Sequence, residues 1–76
     1  MKAKKAEKNI KFPNLIAEMA RRGKSVMSMS KEIGMEYTTL RKKINGITNF
    51  TLPEMRRIQS IFPNNSLDYL FEEQEK

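Results

Sequence analysis

The sequence predicts an all-α fold, five short helices and no strand packed into one compact domain. Three observations predict it. Apolar residues recur at three- and four-residue intervals along most of the chain, the spacing of a single buried helix face. The three glycines, Gly23, Gly34 and Gly46, each fall where such a run stops, and glycine supplies the left-handed backbone of a helix exit. Good N-cap residues (Ser25, Thr51 and Ser66) stand where later runs begin.

Residues 1–11, MKAKKAEKNIK, form a lysine-rich arm with little apolar content. It reads equally as an arm that neutralises an anionic partner and as a solubilising tail. The first helix begins at Phe12-Pro13, because proline is tolerated in an opening turn and nowhere deeper. Leu15, Ile16, Met19 and Ala20 form its inward stripe, with Glu18, Arg21 and Arg22 outside. The two arginines lie near the negative end of the helix dipole.

Ser25 caps the second helix, which turns Met29 and Ile33 inward and exposes Lys31 and Glu32. Met27, Met29 and Met35 read as adaptable core filler. The third helix runs from Tyr37 to Asn45, with Leu40 and Ile44 on one side and Thr38, Arg41, Lys42 and Asn45 on the other. A loop, Ile47-Thr48-Asn49, comes next, and Phe50 plugs the core. Thr51-Leu52-Pro53-Glu54 is a capping box opening the fourth helix, whose apolar face is Leu52, Met55, Ile58, Ile61 and Phe62. Pro63-Asn64-Asn65 breaks that helix, and Ser66 caps a last one, Leu67 to Phe71. Residues 12–71 are thus the domain, and residues 72–76 an acidic tail. So short a final helix is expected to leave Leu70 and Phe71 exposed, as the interface of a homodimer that is weak in solution or completed on its ligand.

Composition narrows the function. At 76 residues there is room for one modest core. With no cysteine and no histidine, disulfides, zinc fingers and histidine-based catalysis are excluded. No glycine-rich phosphate loop occurs, and no enzyme activity, cofactor, metal or small-molecule ligand is expected. A net charge of +6 and a pI near 9.8 favour an anionic partner. No apolar run reaches the ~18 residues of a membrane helix, and a cytoplasmic location is expected.

A helix, a glycine turn and a second helix with reaching polar side chains form a helix-turn-helix, whose second helix enters the major groove of duplex DNA. On that reading Glu36, Tyr37, Thr38, Arg41 and Asn45 approach base edges. Arg41 has the fork that pairs with guanine O6 and N7. The phosphate contacts are the free amides of Val26 and Met27 at a helix N-terminus, Ser28, Lys42, Lys43, Thr48 and Asn49, and Lys2, Lys4 and Lys5 of the arm.

The stretch Ser25 to Gly46, SVMSMSKEIGMEYTTLRKKING, resembles the helix-turn-helix of the phage repressor and Cro family, the xenobiotic-response-element type. Ser30 and Gly34 stand at the small residue and the turn glycine, and Met29, Ile33, Met35, Leu40 and Ile44 at the flanking apolar places. Asn45-Gly46 and its loop are similar to the segment just after the recognition helix in that family, and the likeness spans roughly residues 13–71. Ser30 departs from the usual alanine, and Glu36 from the frequent serine, threonine or glycine. The resemblance implies a lambda-repressor-like five-helix domain and a transcriptional regulator that blocks a promoter by occupying an operator. The alternative is an interaction module of the same fold, such as an antitoxin-like or anti-repressor partner. If the arm lysines Lys2, Lys4, Lys5 and Lys8 touch phosphates, deleting residues 1–9 will weaken binding similarly on every duplex. The slope of log affinity against log salt will then fall by about 0.9 per lost contact. An unchanged slope assigns those lysines to solubility.

Overall fold

Five helices and no strand occur among the residues described by the computed structural model, 10–74. They are α1 (Pro13–Arg21), α2 (Val26–Ile33), α3 (Tyr37–Ile44), α4 (Leu52–Ile61) and α5 (Leu67–Leu70). Lys2, Lys4, Lys5 and Lys8 lie outside the described residues. None of the five helices is long and apolar enough to cross a membrane.

Four of the five helix starts have a local cause. Pro13 opens α1, and serine or threonine side chains cap α2, α4 and α5. In α4 the anticipated box is complete: Thr51 Oγ1 accepts from the Glu54 N–H, and Glu54 Oε1 from the Thr51 N–H. Gly34 ends α2 at φ 72°, a conformation that costs a residue with a Cβ about 1–2 kcal/mol. Gly46 is constrained twice. Its φ is 84°, and an added Cβ would come within 2.7 Å of Lys11 Cδ, because the stem of Lys11 lies across this corner.

The core is built around Leu15, Met29, Leu40, Ile58, Phe62 and Leu70, all without solvent exposure. α2 and α3 pack closely together, α5 packs on α1 and α4, and α2 also meets α4. Phe12, Phe50 and Phe71 meet at centroid separations of 5.2–5.7 Å in tilted and edge-on arrangements, a favoured aromatic geometry. Phe50 is half-buried against the core.

Four expectations need correction. Ala20 is exposed, whereas Glu18 is buried at 6% exposure. At about 100° per residue the inward arc is centred on Leu15 and Met19, which brings Glu18 to its edge and carries Ala20 away. The buried Glu18 carboxylate has partners there: the Tyr69 hydroxyl donates to it at 2.9 Å, and Arg21 pairs with it. Met27 is half exposed, lying about 200° around α2 from the buried Met29. Leu52, in the opening turn of α4, is half exposed as well. Finally, Leu70 and Phe71 are not a free apolar face. Leu70 is fully enclosed and Phe71 completes the aromatic cluster. The four residues of α5 are held down by the Glu18–Tyr69 bond and by Asn14 Nδ2, which donates to the Tyr69 carbonyl at 2.9 Å.

Leu70→Ala is therefore a stability variant rather than an assembly variant. It is expected to cost about 2–5 kcal/mol, read as a lowered urea midpoint at any protein concentration. An unchanged midpoint would contradict this placement.

Candidate nucleic-acid interface

The N-terminus of α2 is closed by two serines that cap each other. Ser25 Oγ accepts from the Ser28 N–H at 3.1 Å, and the Ser25 N–H donates to Ser28 Oγ at 2.9 Å. The Ser28 hydroxyl proton goes to the Ser25 carbonyl at 3.0 Å. In this arrangement the single Ser28 hydroxyl proton is directed to its own helix terminus. The amides of Val26 and Met27 are different. They precede the first helical bond, from the Met29 N–H to the Ser25 carbonyl at 2.9 Å, and remain outward donors.

The turn begins at Gly34. The Met35 N–H donates back to the Ser30 carbonyl at 2.9 Å, and Met35 packs on the core. Ser30 is buried, and its hydroxyl is satisfied by the Met27 carbonyl at 2.7 Å, so serine fits where alanine is usual. Glu36 then takes an extended conformation as the residue before α3. Its exposed carboxylate accepts a long 3.4 Å bond from the Thr39 hydroxyl.

α3 turns Leu40 and Ile44 into the core. Thr38, Arg41, Lys42 and Asn45 are exposed around the rest of α3, and Tyr37, on the Leu40 side by helical period, is exposed in its first turn, so the expected base-reading residues share the open surface of α3 with Lys42. Arg41 and Lys42 form no ion pair with the described residues. The expected loop residues Thr48 and Asn49 are exposed just beyond the end of α3, next to Ile47, which is 70% exposed.

Lys43 departs from expectation. Its side chain is only 13% exposed. The ammonium donates to the Asn49 carbonyl at 2.7 Å and lies 3.2 Å from Glu54 Oε1. It therefore faces the α3–α4 junction rather than the outward surface. The helical period held the signal: Lys43 is two residues past Arg41, about 200° around the helix.

No family model, curated protein or solved structure matches the chain.

The Glu54 carboxyl is held below the ordinary carboxylate range, first by the Thr51 N–H and then by Lys43, against the opposing effect of burial. Because its folded pKa lies below its unfolded one, its stabilising contribution is complete above the unfolded value. That contribution is lost as pH falls through the folded value. Glu54→Gln is accordingly expected to lower the urea midpoint at neutral pH and to flatten its fall below about pH 4.5. An acid limb of unchanged steepness would remove Glu54 as its cause.

Proposed function

We propose that this protein binds duplex DNA sequence-specifically as a lambda-repressor-like helix-turn-helix domain, inserting α3 into the major groove of an operator. The observation that carries the reading is the outward face of α3. Tyr37, Thr38, Arg41, Lys42 and Asn45 are exposed together, with both cations unpaired among the described residues. On one flank the α2 amides of Val26 and Met27 suit a phosphate. On the other, Thr48 and Asn49 offer backbone and side-chain donors. Arg41 is one turn into α3, where a planar fork reaches a guanine edge. The net charge of +6 supplies the sequence-independent attraction that brings the domain to DNA.

Bound at an operator overlapping a promoter, such a domain represses by excluding polymerase. If two copies share one operator, Leu70 is not the group that joins them, since the core encloses it, and Phe71 is partly taken up by the aromatic cluster. Ile47 in the α3–α4 loop and Leu52 at the start of α4 are exposed apolar groups that could make that contact.

The test compares Arg41→Ala with Lys42→Ala on the best duplex selected from a randomised pool and on its single-base variants. Arg41→Ala should cost about 1–3 kcal/mol on the best site and relax preference at one base pair. Lys42→Ala should weaken every duplex alike and reduce the salt slope by about one contact. If Arg41→Ala also weakens all duplexes equally, Arg41 touches the backbone, and the bases are read by its neighbours on the α3 face. If no duplex is preferred at either low or moderate salt, the operator reading fails.

A further inference from the structure

Arg41, Lys42 and Lys43 are consecutive cations, yet the third has a different environment from the first two. The Lys43 ammonium touches two other segments of chain: the loop, through the Asn49 carbonyl at 2.7 Å, and the first turn of α4, through Glu54 at 3.2 Å. Glu54 is itself fixed, because the same Oε1 accepts from the Thr51 N–H at 2.9 Å. The Lys43 and Glu54 side chains are 13% and 22% exposed, so salt screens this pair less than it would a surface pair. Apart from this link, the loop is tied back to α3 by the Ile47 N–H on the Lys42 carbonyl at 2.9 Å and by a longer bond from the Thr48 N–H, at 3.5 Å. Among the described residues the one hydrogen bond of Asn49 is with Lys43, and Asn49 stands beside the exposed Thr48.

We propose that Lys43 and Glu54 act as positioning residues, a brace that holds loop 47–50 so that Thr48 and Asn49 meet a DNA phosphate beside α3. The inference rests on the DNA-binding reading of that face. It has an unusual consequence: Glu54, a carboxylate near a polyanion, strengthens binding. An ion pair that fixes a loop in its bound shape removes an ordering cost from association. That gain exceeds the repulsion of a carboxylate already partnered by an ammonium.

The signs of three variants decide it. Lys43→Met keeps the stem and removes the ammonium. Glu54→Gln keeps an oxygen for the Thr51 N–H and removes the charge. The third variant carries both changes. For a brace, each single variant weakens binding to the same duplex by about fivefold, as expected for lost preorganisation. The double variant is then no weaker than Lys43→Met, and the salt slope and base preferences stay at their wild-type values. If Lys43 instead touches phosphate directly, Lys43→Met lowers the slope by about 0.9. Glu54→Gln then tightens binding, the double variant shows the sum, and the brace is overturned.

A measurement on the free protein separates this inference from the DNA reading. Backbone order parameters of Thr48 and Asn49 are expected to fall from the rigid range of about 0.85 in Lys43→Met. Unchanged values overturn the brace whether or not DNA binds. A wild-type chain that prefers no duplex overturns the DNA reading instead, and with it any role of the brace in affinity.

Discussion

None of the five helices is long enough to hold its shape alone. The longest has ten residues, whereas isolated helices below about 12–15 residues are marginal in water. Shortness therefore governs the molecule. Two features offset it: side-chain caps at the N-termini of α2, α4 and α5, and, for every helix, a face enclosed by its neighbours. Ser25 with Ser28, Thr51 with Glu54, and Ser66 supply the first. Leu15, Met29, Leu40, Ile58, Phe62 and Leu70 supply the second. Even α5, with four residues, persists because Leu70 is enclosed and Tyr69 reaches back to Glu18.

The same economy shapes the α3 surface. A helix of eight residues has two sides to use, and Leu40 and Ile44 occupy one. The groups on the opposite side are free of packing duty, so Thr38, Arg41 and Asn45 are held rigidly at their backbones while their side chains remain available. That combination suits recognition: the scaffold fixes position, and the exposed groups supply the chemistry. Lys43, lying between the two sides, serves the junction with α4.

Helix positions are legible in the sequence because their signals are local. Glycines at Gly34 and Gly46, the Thr51–Glu54 box and the period of Leu40 and Ile44 act within a few residues. The outward group on α3 comes from the same periodicity, and Lys43 is misplaced where charge type outweighs angle. The Glu18–Tyr69 bond is not legible, because 51 positions separate the partners and nothing near Glu18 announces a hydroxyl. Leu70 and Phe71 are misread for a related reason. A four-residue helix gives no periodicity to reveal its buried side, and its environment comes from Asn14, Phe12 and Phe50 in distant segments. The serine pair at Ser25 and Ser28 does carry a local signal, since its spacing is that of a capping box with serine in place of glutamate.

The bond from the Gln74 N–H to the Lys11 carbonyl, at 2.9 Å, brings together two points 63 positions apart in the chain, beside the corner that Gly46 forms. Topologically the domain is almost a ring. A short linker from position 74 to position 11 would close it without disturbing a helix, and the exposed turn at Pro63-Asn64 could be opened instead. The ring would then begin with α5 and end with α4, with the α2–turn–α3 unit uninterrupted in its middle. Chain order and spatial order are thus separable in this fold. Anything attached at position 11 or position 74 would emerge from the same place on the domain, beside the Gly46 corner.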